Sequence, residues 1–148
     1  METVLSILGP ILVGLVYIAV SSLLAEPGRQ KFNAVMVAGA GAAYISGGAL
    51  GLWELAFTAL VTVCAFKGLK DYRWLGVGWL LHTGWDIVHQ LKGAPIIPSL
   101  SHSSSGCAIC DPVIAIWMFR GAPSIPTLGT SRIPDRRAAF PSTPTAKQ

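Results

Sequence analysis

Charge is scarce in this sequence. Of 148 residues only 12% are Asp, Glu, Lys or Arg, against about 25% in an average soluble domain. Hydrophobic residues make up 52% and the mean hydropathy is +0.57. With apolar runs approaching about 20 residues, that shortage places the chain in the membrane class. A positive region ahead of the first apolar run is lacking too: the chain opens Met1-Glu2-Thr3. Leu23 also stands where a small residue should precede a cut after Ala25, so a retained helix is expected there rather than a cleaved leader. No phosphate loop, haem motif or nucleophile elbow is present, which removes the substrate classes those motifs announce. The net charge of +4 lies in short clusters between apolar runs. That is how membrane topology is written, and it excludes a nucleic-acid groove.

What the chain does have is five apolar segments. The first runs from about Val4 to Ala25 and ends at the charged break from Glu26 to Lys31. Residues 33–66 are too long for one crossing of a ~30 Å hydrocarbon core. They divide at Gly47-Gly48-Ala49-Leu50-Gly51, where glycines permit a tight turn, into segments of about 33–48 and 51–66. The fourth segment spans Trp74–Leu91. The fifth begins near Cys107 and runs to Phe119, short enough to suggest a re-entrant hairpin unless Ser103–Gly106 join it. Pro112 fits the first turn of a helix, which sets a helix start near Asp111.

With the N-terminus outside, five crossings put Arg29, Lys31, Lys67, Lys70, Arg73, Arg120, Arg132, Arg136, Arg137 and Lys147 on the inner side. Lys92 alone remains outside, the asymmetry that the positive-inside rule demands. The expected fold is therefore an all-α, polytopic transmembrane bundle, N-out and C-in, in the inner (plasma) membrane. Residues 1–122 form its helical domain. Residues 123–148, rich in Pro, Ser, Thr and Arg, form a disordered basic cytoplasmic tail.

Val35 to Ala43 resembles the start of a dinucleotide fingerprint, but Tyr44 stands where its third Gly or Ala belongs and no βαβ unit surrounds it. Gly39, Ala43, Gly47 and Gly51 instead recur every four residues, a small-residue stripe suited to a neighbouring helix or a second copy of the chain.

Ionisable groups within apolar segments are costly and default to function. His82, Asp86 and His89, at offsets of four and three, share one helix face and rise about 10 Å toward the outer surface. Cys107 and Cys110 lie three residues apart beside Asp111, and a C-x-x-C pair reads as metal ligands, a redox pair or a structural bridge. Glu54 lies near the outer end of the third segment, as an interfacial or helix-capping carboxylate or as a member of the site. Cys64 reads as a small buried apolar residue.

The runs Ser21–Pro27 with Lys31–Ala34, His82-Thr83-Gly84-Trp85-Asp86 with His89, Gly93–Pro98, and Gly106-Cys107-Ala108-Ile109-Cys110-Asp111-Pro112 together resemble a bacterial domain-of-unknown-function family of small integral membrane proteins. The resemblance covers about residues 1–122. It implies a membrane protein and supplies no mechanism.

Three readings stand open on the sequence. In the first, His82, Asp86, His89, Cys107, Cys110 and Asp111 hold Zn²⁺ or another transition metal. If that site is catalytic, Glu54, Asp86 or Asp111 serves as general base. In the second, Cys107 and Cys110 exchange thiol and disulfide, with His89 or Asp111 tuning the thiolate. In the third, the polar groups fasten helices or receive a partner.

Overall fold

The computed structural model describes residues 2–47, 50–97 and 99–125. Among them are five α-helices and no strand: α1 (Glu2–Ser22), α2 (Gly28–Gly47), α3 (Leu52–Gly68), α4 (Tyr72–Leu91) and α5 (Ser103–Phe119). Each stands where an apolar segment was expected. Residues 126–148 of the expected tail lie outside the described residues.

The breaks between helices follow local chemistry. Gly51 takes φ 58°, a left-handed conformation open to glycine, and α3 begins directly after it. Asp71 caps α4 by accepting a hydrogen bond from Arg73 N at 2.9 Å. At the far end of α4, Gly93 takes φ 66° and lets the chain fold back, so that Ala94 N donates to His89 O at 3.0 Å.

The start of α5 corrects two expectations. It begins at Ser103, four residues before Cys107, and Pro112 lies inside it rather than in its first turn. The serines explain the difference. Ser104 Oγ accepts from Ile96 N and Ser103 Oγ from Ile97 N, each at 3.0 Å, so the preceding loop is strapped onto the helix start. Seventeen residues give α5 about 25 Å of length.

The helices close into a ring in the order α1, α5, α4, α3, α2, with α2 returning to α1 and also reaching across to α4. Its core holds Val37, Val61, Leu75, Trp79, Ile114, Ala115 and Met118. The stripe at Gly39 and Ala43 faces outward, so packing against a neighbouring helix of the chain, one of its two expected uses, does not occur at these residues. Asn33, Val37, Gly41 and Tyr44 form the inward face of α2 instead. Polar Asn33 and Tyr44 need partners inside, which turns the stripe away. Close approach falls to Gly41, where a Cβ would stand 2.9 Å from Val61, and to Gly78, where one would stand 2.9 Å from Val37.

One end of the bundle is knit by polar bonds. Tyr72 Oη donates to Glu26 Oε1 at 2.7 Å, Arg29 Nη1 to Ser124 Oγ at 2.7 Å, and Gln30 Nε2 to Gly68 O at 2.9 Å. The α1–α2 connection, the α3–α4 connection and the segment after α5 therefore share that end, and the α2–α3 turn and the α4–α5 loop share the other.

The distribution of polarity is inverted relative to a soluble domain. Leu12, Val13, Val35, Leu55, Val63, Leu80, Ile87 and Ile116 are exposed, whereas Asn33, Glu54, His82, Asp86, His89, Ser104 and Asp111 are buried. Val4–Ser22 of α1 is the one stretch among the described residues that is long and apolar enough to cross a membrane by length and composition alone.

Candidate metal centre

Two helices deliver the centre. His82 and Asp86 lie one turn apart on α4, and Asp111 comes from α5. His82 Nδ1 stands 2.7 Å from Asp111 Oδ2 and 3.0 Å from Asp86 Oδ2. One donor atom from each of the three lies within 4.8 Å of the others. Their exposures of 2%, 0% and 3% seal them from solvent.

The protonation of His82 is constrained by its other nitrogen. Nε2 lies 3.1 Å from Ala40 O on α2, and a carbonyl can only accept, so Nε2 carries the hydrogen. In the neutral ring Nδ1 is then bare, with Asp111 Oδ2 in line with its lone pair and Asp86 Oδ2 to one side at 3.0 Å. Such a crowd of acceptors is stable only with a proton among them, on Nδ1 or on a carboxyl group, or with a metal ion. A proton on Nδ1 serves Asp111 Oδ2, but Asp86 Oδ2 still has no hydrogen-bond partner. Asp86 Oδ1 is already engaged by the Tyr44 hydroxyl, which donates to it from α2. One carboxylate oxygen is thus fixed by a phenol while the other is left aimed at the triad.

A second pair lies nearer the end of α4. His89 Nδ1 is 2.9 Å from Ala94 O, and His89 Nε2 is 3.0 Å from Glu54 Oε1. Glu54 Oε2 accepts from Trp85 Nε1 at 2.9 Å, and Oε1 takes a longer bond of 3.3 Å from Leu50 N at the start of α3. Trp85 in turn stacks on Phe57 with centroids 4.6 Å apart. Glu54 therefore bonds back to the turn before α3 with one oxygen, which also faces His89, and to Trp85 with the other.

Of the six metal-ligand candidates the structure gathers His82, Asp86 and Asp111, and it places His89 with Glu54 instead. The register of α5 accounts for this. Asp111 lies eight residues into a helix that starts at Ser103, about 12 Å along it, and His82 lies nine residues back from Leu91, about 13 Å. Cys107 and Cys110 are half-buried free thiols outside the triad, and Cys64 is a buried free thiol in α3.

Tyr44 was not singled out in the sequence as a site residue. Its ring lies against His89 (centroids 4.3 Å) and near His82 (5.5 Å), so it stands between the two clusters. A tyrosine in an apolar run carries no periodic signal of such a role. The nearest hint was that it interrupts the glycine- and alanine-rich pattern.

The chain belongs to the family of unknown function DUF6010, whose family model matches residues 5–124. No curated protein and no solved structure matches it.

Tyr44→Phe keeps the ring against His89 but removes the hydroxyl's bond to Asp86 Oδ1. Leaving a buried carboxylate oxygen unpaired costs about 1–3 kcal/mol. Unfolding of the variant in detergent micelles should show that loss, and unchanged stability would mean that the phenol does not hold the carboxylate.

Proposed function

We propose that this member of the DUF6010 family is a five-span integral membrane protein, N-out and C-in, whose His82, Asp86 and Asp111 hold one divalent transition-metal ion. The orphaned Asp86 Oδ2 beside a tautomer-locked His82 carries the metal reading. A proton on Nδ1 satisfies one carboxylate, whereas a metal ion satisfies all three donors at once. One imidazole nitrogen and two carboxylate oxygens suit Zn²⁺ and its first-row neighbours better than Ca²⁺, which takes an all-oxygen shell. Bonds of about 2.0–2.2 Å at tetrahedral angles put neighbouring donors about 3.4 Å apart. Loading therefore opens the contacts of 2.7 and 3.0 Å at His82 Nδ1 by about 0.4–0.7 Å. The Nε2–Ala40 and Tyr44–Asp86 contacts are the outer bonds that orient ligands in such sites.

The bundle's inverted polarity supports the membrane reading. A soluble monomer rarely leaves a contiguous apolar surface of more than a few hundred Å² open to water. Here aliphatic side chains are exposed on all five helices while ionisable groups are buried among them, an arrangement suited to a bilayer. The end that is knit by Glu26, Arg29 and Tyr72 also carries Lys31, Lys67, Lys70, Arg73 and Arg120, and Lys92 is at the other, which sets the first end inside.

The triad's chemistry favours holding an ion over turning over a substrate. Asp86, Asp111 and Glu54, the candidate general bases, are buried and each is engaged by a partner. Cys107 and Cys110 are free thiols with no bond in this reading.

A periplasm-active reporter should be silent when fused after Gln148 and active when fused after Lys92. Activity at Gln148 with silence at Lys92 overturns the orientation. Protein purified after zinc loading should carry about one ion per chain by elemental analysis, as a single His/Asp site requires. Asp86→Asn with Asp111→Asn should lose that ion, and Cys107→Ser with Cys110→Ser should keep it. Zinc that follows the cysteines and ignores the aspartates would sink the triad.

A further inference from the structure

Glu54 and His89 repeat the construction of the triad one level further out. Ala94 O can only accept, so the bond at 2.9 Å puts the hydrogen of His89 on Nδ1. Gly93 makes that bond available: its φ of 66° turns Ala94 back over the end of α4. In the neutral ring Nε2 is then bare, and it faces Glu54 Oε1 at 3.0 Å without making a hydrogen bond. Both side chains are buried, at 0% and 3% exposure. Trp85 holds the other oxygen of Glu54 and Leu50 N reaches Oε1, so Oε1 is held beside Nε2.

We infer that Glu54 and His89 form an outer station for a divalent transition-metal ion, through which the ion reaches the triad from the outer face. The inference rests on the triad reading above. Glu54 lies in the first turn of α3 and His89 in the last turn of α4, so both sit beside the chain ends at that face. His82 lies seven residues deeper on α4, about 10 Å further in. Two protein donors bind an ion less tightly than three, and a site on an ion's route must bind firmly enough to admit it and loosely enough to release it. Tyr44 lies between the two sites, its ring against His89 and its hydroxyl on Asp86. An ion passing inward therefore meets a side chain that contacts both.

The test uses the full chain in micelles and follows uptake of Co²⁺, whose absorption reports its ligands. Glu54→Gln and His89→Gln should still take up one ion at equilibrium, which also shows that they fold. Their uptake should be slowed by about tenfold or more, the scale on which a placed charge alters ion arrival. In Asp86→Asn with Asp111→Asn, weak saturable binding should remain and should vanish when Glu54→Gln is added. Tight binding at the unaltered rate in both single variants overturns the station and leaves the triad standing. Weak binding that depends on Glu54, without any tight site in the unaltered protein, overturns the triad alone. No binding of any kind overturns both.

Discussion

Acceptors brought together in a sealed interior demand a proton or a metal ion among them, and the rest of this structure depends on that demand. His82 Nδ1, Asp86 Oδ2 and Asp111 Oδ2 meet at 2.7–3.0 Å where water does not screen them. Breaking a buried charged cluster by removing one partner costs several kcal/mol, because what remains is uncompensated. The bundle therefore has a centre that is stable only when filled by a proton or a metal ion, and its helices must keep that centre closed.

The surrounding elements serve this purpose in distinguishable ways. A backbone carbonyl on α2 at Ala40 sets the tautomer of His82, and Tyr44, one turn on, occupies the spare oxygen of Asp86. The close packing of Gly78 on Val37 brings α2 near enough to α4 for both contacts to form. The serine strap at the start of α5 sets the level of Asp111. Gly93, outside any helix, fixes the tautomer of His89 through Ala94. Small residues and turns far from the centre thus decide the chemical state of its two histidines.

Hydropathy alone located five helices, because long apolar runs bounded by charge survive any detail of packing. It misplaced the start of α5, since Ser103 and Ser104 look like loop until their hydroxyls are seen bonded to Ile97 and Ile96. The His82–Asp86 pair was legible, as an offset of four on one helix fixes proximity. Its partner was not: six polar candidates on two helices leave several combinations, and the helix register decides among them. Glu54 and His89 are 35 residues apart on different helices, and no local pattern links them. The outward turn of Gly39 and Ala43 was equally hidden, because the small-residue stripe and the Asn33–Tyr44 face compete for the same interior.

The nature of the charge that fills the centre is open to direct measurement. X-ray absorption on zinc-loaded protein reads the atoms bound to the ion. The account predicts a shell of nitrogen and oxygen alone at about 2.0–2.2 Å, with the outer scattering of one imidazole. Sulfur at about 2.3 Å would show that Cys107 or Cys110 binds the ion and would contradict the assignment of the centre to His82, Asp86 and Asp111.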